Sequence, residues 1–110
     1  MRLIRQLFAA VVMLPALALA QTPVKVGIAN DLSGPFAALG AEARDGFNLA
    51  IKQLGGKLGG QPAEFLQTDM GGNPDQARQL VNRYIQRDKI DFFTGPIGSN
   101  VALAVGPALF

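Results

Sequence analysis

Three short runs rich in β-branched or aromatic residues alternate with stretches of helical periodicity, and that order constrains the fold more than any other feature. Val24, Val26 and Ile28 alternate with Lys25 and Gly27, the period of two expected of a strand, before Asn30 and Asp31 end the run. Residues 63–68, with Phe65, Leu66 and Thr68, predict a second strand, and Ile90, Phe92 and Phe93 a third. Across residues 40–54, Ala43, Phe47, Ala50, Ile51 and Leu54 fall on one face of a helix, which Gly55 and Gly56 end. Residues 57–62, with Gly59 and Gly60, read as a flexible connection. Asn73-Pro74-Asp75 starts the next helix: Asn caps free amides, Pro suits the first turn and Asp faces the positive end of the dipole. That helix is expected to run to about Arg87, with Ala77, Leu80, Val81, Tyr84 and Ile85 inward and Arg78, Asn82, Arg83, Gln86 and Arg87 on a solvated face. A last helix is expected from Val101, interrupted at Gly106-Pro107. Strand, helix, strand, helix, strand, helix predicts the α/β class, a parallel three-stranded sheet in the order 2-1-3 with right-handed crossovers.

Composition removes whole classes of chemistry. The chain has 110 residues with no Cys and no His, which excludes disulfides, thiolate or imidazole metal sites and His-based triads. Arg2 and Arg5 account for the excess of 10 basic over 8 acidic residues, so the rest of the chain is balanced and carries no nucleic-acid footprint. Those two Arg open a leader. Residues 7–14 are all apolar, Pro15 follows, and Ala18 and Ala20 are small residues two apart, the pattern of a secretory signal peptide over residues 1–20 cut after Ala20. A membrane anchor fits less well: residues 7–20 span about 21 Å as a helix, against a hydrocarbon core of about 30 Å. A periplasmic location for residues 21–110 follows as an expectation. Three strands leave sheet edges uncovered and the sequence stops on Ala108, Leu109 and Phe110, so residues 21–110 read as the first part of a larger lobe.

In a parallel sheet, ligands collect at the carboxyl ends of the strands where successive connections diverge. Two loops qualify, residues 30–40 and residues 95–100. In Gly95-Pro96-Ile97-Gly98-Ser99-Asn100 two glycines let the backbone approach a ligand, and a helix start follows with unpaired amides, a place for an anion. The bland alternative is that Ser99 or Asn100 caps its own helix. There is no Walker pattern and no Gly-x-Gly-x-x-Gly after the first strand. The acid pairs Asp69 with Asp75 and Asp88 with Asp91 fit capping and turns better than catalysis or a Ca2+ loop, and Ser33 has no base to make it a nucleophile.

The first strand, Leu32-Ser33-Gly34-Pro35 with Gly40 after it, Asp69 with Asn73-Pro74-x-x-Ala77, and Gly95-Pro96-Ile97-Gly98-Ser99 together resemble the type I periplasmic solute-binding proteins of ABC transporters, the leucine/isoleucine/valine-binding group. The resemblance covers essentially all of residues 21–110. It implies the opening of the first lobe of a two-lobed clamp that hands a small solute to membrane permeases, with no enzymatic activity, no cofactor and no metal, acting as a monomer. It also implies that Ser99 helps hold the carboxylate of a bound amino acid, and that the loop after the first strand reaches the solute. The resulting expectation is a clamp of Ser99 with the amides of Gly98, Ser99, Asn100 and Val101, with Ile97, Leu39 and Phe36 as apolar walls and Ser33 nearby. Where amino-acid-binding members often carry Tyr, this sequence has Leu39, which admits an aromatic acid or amide alongside branched-chain amino acids. Two other classes stand beside this reading: a sensory domain of the same fold reporting to a membrane partner, and an exported α/β enzyme, for which no base, nucleophile or metal set is identifiable.

Overall fold

The computed structural model describes residues 21–110, so the leader and its cleavage site lie outside the described residues. In chain order the elements are β1 (Val24–Asn30), a 3-10 turn (Gly34–Phe36), α1 (Ala37–Gln53), β2 (Lys57–Leu58), β3 (Gln61–Asp69), α2 (Pro74–Arg83) continued by a π-helical turn (Tyr84–Asp88), β4 (Phe92–Thr94) and α3 (Ser99–Leu109). The sheet runs β2-β3-β1-β4, with β1 parallel to both of its neighbours. The three predicted strands are β1, β3 and β4, and their order 2-1-3 is the observed one. The fold is α/β.

β1 is central, and its alternation assigns each helix a side. A Cβ added to Gly27 would come within 2.7 Å of the Tyr84 ring, so Gly27 and Ala29 face α2 while Val26 and Ile28 face the opposite side. On that opposite side lies α1, tied to β3 by Gln67 Nε2 donating to Asn48 Oδ1 at 2.7 Å. The other face holds the core: Ala29, Met70, Ala77, Val81, Tyr84, Val101 and Val105 are buried together between the sheet, α2 and α3. Tyr84 anchors it. Its hydroxyl donates to the Leu66 carbonyl at 2.9 Å and shares a hydrogen bond with Thr68 Oγ1 at 2.8 Å, so the phenol holds β3 as well as filling space.

The predicted cap is present, with Asn73 Oδ1 accepting from the amides of Asp75 at 2.9 Å and Gln76 at 3.2 Å. The expected polar face of α2 is exposed from Arg78 to Arg87.

Two local expectations are corrected, and the helix expected to run to about Arg87 does so with a change of pitch at its end. Residues 57–62 form a hairpin, not a flexible connection: Gly59 and Gly60 both have positive φ, the tight turn that suits strand twist, and Lys57 and Leu58 pair with Pro62 and Gln61. The end of the second helix widens into the π turn, closed by Lys89 in the left-handed conformation. The last helix begins at Ser99 rather than Val101 and runs through Pro107 to Leu109. Pro107 lacks only the one donor due to the Leu103 carbonyl, Leu103 is exposed to water, and the helix ends two residues later.

Candidate functional site

The chain leaves β1 toward α1 on one face and leaves β4 toward α3 on the other, so the carboxyl ends of these neighbouring strands form the switch point at which open parallel sheets take ligands. Both loops expected to flank it do so. Two glycines allow close packing here: a Cβ on Gly40 would collide with the Asp31 carbonyl, so α1 starts hard against the end of β1, and one on Gly95, at φ 127°, would collide with the Ala29 carbonyl, so the 95–100 loop lies close on β1.

Asp31 is the residue that sequence reasoning missed. It is completely buried directly after β1, and its carboxylate accepts three backbone amides from two other loops. Oδ1 takes Gly72 at 2.9 Å, and Oδ2 takes Ile97 at 3.2 Å and Gly98 at 3.4 Å. A second carboxylate, Asp69 at the end of β3, accepts from the amides of Leu32 and Gly71, each at 2.8 Å. Burial pushes the Asp69 carboxyl up, but hydrogen bonds from the Ser33 side chain and from the Gly71, Leu32 and Ser33 amides outweigh it and hold the group below the usual carboxylate value. The three loops at this end of the sheet are thus tied by two aspartates. Of the other acids in the predicted pairs, Asp75 pairs with Arg78 and Asp88 with Arg87 on their own helix, while Asp91 accepts the amide of Lys25 in β1.

The structure sorts the predicted site residues into groups. Ser99 and Asn100 are exposed at the start of α3, whose N-cap is Gly98, and neither side chain caps the helix; the bland alternative for these two residues therefore does not hold. Gly98 lies against the Phe36 ring, 2.9 Å from where its Cβ would be, so Phe36 and the 95–100 loop meet across the crevice. Ile97 is half-buried beside them, and Leu39, in the first turn of α1, is 53% exposed. Ser33 turns toward Asp69 and the loop after β3.

Two of the expected donors are already engaged within the protein. The Gly98 amide points to Asp31, and the Val101 amide donates to the Gly98 carbonyl at 3.0 Å while its side chain is buried in the core. The expectation of a run of free amides from Gly98 to Val101 is corrected: among the described residues only the amides of Ser99 and Asn100 in that run have no protein partner. The reason is that a buried carboxylate needs donors and the first helical turn closes on Gly98.

Comparison with known proteins places this geometry. The sequence pattern of the periplasmic binding protein family matches residues 23–109. The Leu/Ile/Val-binding protein BraC3 of Rhizobium johnstonii is 31% identical over 93 residues, covering 83% of this chain and 25% of its own length. Among solved structures, an ABC transporter substrate-binding protein from Sphaerobacter thermophilus superposes with a TM-score of 0.74 at 35% identity, over 80% of this chain and 24% of that one. A solute-binding protein of an ABC transporter from R. palustris, in complex with benzoate, gives 0.72 at 34% identity, over 79% and 24%. The chain therefore spans about a quarter of the length of the relatives it matches. The two solved structures are solute- or substrate-binding proteins of ABC transporters, and the family match spans both loops at the ends of β1 and β4. The chain belongs to the periplasmic binding protein family.

Proposed function

We propose that this chain forms the opening part of the first lobe of an extracytoplasmic substrate-binding protein that captures a small carboxylate-bearing solute for import by an ABC transporter. The observation that carries the reading is the uncapped start of α3 at the sheet's switch point. There the Ser99 side chain is exposed and not used as a cap, and the Ser99 and Asn100 amides head a helix whose dipole favours an anion. Two relatives support the solute class: one is named for leucine, isoleucine and valine, and another holds benzoate, compounds whose shared group is a carboxylate. Phe36 and Ile97 supply apolar walls next to that anion position, and Leu39 leaves room where an aromatic side chain would narrow it. The partners in this reading are the solute and the membrane permease, and the protein acts in the periplasm as a monomer without a cofactor. Capture requires closure of a second lobe, so residues 21–110 by themselves bind weakly.

The test is Ser99→Ala in the complete protein, titrated calorimetrically with isoleucine and with benzoate. Loss of one charge-assisted hydrogen bond is expected to weaken the favoured solute by about 1–2 kcal/mol, a factor of about 5 to 30. Unchanged affinity for both solutes sinks the assignment of Ser99.

A further inference from the structure

We propose that Asp31 is the positioning residue of the Ser99 site, its carboxylate holding the 95–100 loop at the depth where Ser99 and Asn100 face the crevice; this rests on the binding reading above. The partners of Asp31 lie 41, 66 and 67 residues away in sequence, so it is not the cap of a local turn but a tie between separate loops. Its side chain is fully buried at the end of the central strand, where an ionised carboxylate is tolerated only with several donors aimed at it. Ile97 and Gly98, which supply the donors on Oδ2, are the two residues immediately before Ser99. Among the described residues no other side chain hydrogen-bonds the backbone of the 95–100 loop. Steric contacts limit how close that loop can come, since a Cβ on Gly95 would meet the Ala29 carbonyl and one on Gly98 the Phe36 ring, but they do not pull it in. The carboxylate supplies the pull.

The same arrangement selects which donors remain. With Ile97 and Gly98 committed to Asp31, the amides of Ser99 and Asn100 are left to a ligand, and the Ile97 side keeps no free donor for one. Asp31 thereby confines an anionic solute to the Ser99 end of the crevice.

The experiment compares the parent chain with Asp31→Ala and Asp31→Asn by amide hydrogen exchange followed by NMR. Asp31→Ala is expected to speed exchange at Gly72, Ile97 and Gly98 at least about tenfold relative to the β1 amides, because three donors lose their acceptor. Asp31→Asn keeps the shape and one acceptor oxygen and is expected to loosen one of the two loops only; it decides the matter if Asp31→Ala fails to fold. In the complete protein the variant that frees Ile97 and Gly98 is expected to bind isoleucine or benzoate about tenfold more weakly while the Tyr84 ring resonances stay unchanged, a separation that general loss of stability would not produce. Parent-like exchange at Ile97 and Gly98 in both variants overturns the proposal, and so does faster exchange there with unaltered affinity. If Ser99→Ala leaves affinity intact while the Asp31 variants still loosen the loop and weaken binding, the role of Ser99 fails and that of Asp31 stands.

Discussion

The two faces of the sheet are covered unequally. On one, α2 and α3 pack against each other as well as against β1 and β3, and Ala77, Val81, Tyr84, Val101 and Val105 are all buried. On the other, the 17-residue α1 buries only Gly40, while Leu39, Leu49 and Leu54 each remain more than half exposed. Both helices carry apolar stripes of helical period, so amphipathic patterning tells which side seeks cover, and the number of neighbouring elements decides how much it receives. Two helices shield one another's flanks; among the described residues α1 has no helix beside it, and both of its flanks are open.

Substitutions at matched leucines test this contrast. Leu80 on α2 is 7% exposed, and Leu80→Ala is expected to cost about 2–4 kcal/mol, a transfer loss plus a cavity, read as a lower urea midpoint with unchanged slope. Tyr84 sharpens the comparison through pH. Burial raises its phenol above the ordinary value of 10.0, with the Thr68 hydrogen bond and Arg83 opposing and Asp88 reinforcing the rise. The folded form therefore keeps its proton at a pH where the unfolded chain has lost it. The stabilising contribution is complete below about pH 10 and disappears as pH climbs through the folded value. Tyr84→Phe should lose about 1 kcal/mol at neutral pH, and the alkaline part of the stability profile should flatten. The smallest effect belongs to α1: Leu49 is 57% exposed, and Leu49→Ala should change stability by no more than about 0.5 kcal/mol. Equal losses at Leu49 and Leu80 would erase the distinction between the faces.

Much of the architecture was legible because it rests on local signals. The Asn73 cap, the Ala77-Leu80-Val81-Tyr84 stripe and the alternation of β1 are each properties of a few neighbouring residues. The Gly59-Gly60 turn was equally local, and its positive φ values show that the two glycines signalled a hairpin. Pro107 misled because a proline costs a helix one bond wherever it stands, yet near an end the loss falls where water can replace it.

The candidate site divides in the same way. Its expected place at the ends of β1 and β4 follows from strand order and from glycines before a helix start, readable along the chain, whereas the choice of Ser99 over a capping role came from the family resemblance. Asp31 is different: in sequence it is one polar residue closing a strand, and nothing nearby marks it. Its meaning comes from Gly72, Ile97 and Gly98, brought to it from 41 to 67 residues away. Sequence by itself determined the three helices, three of the four strands, the order of those strands and the face that α2 presents, because capping and periodicity act over a few residues. Only the tertiary structure decided which amides stay available to a ligand and which are consumed by a buried carboxylate, because hydrogen-bond satisfaction in the interior is settled between segments the chain does not place side by side.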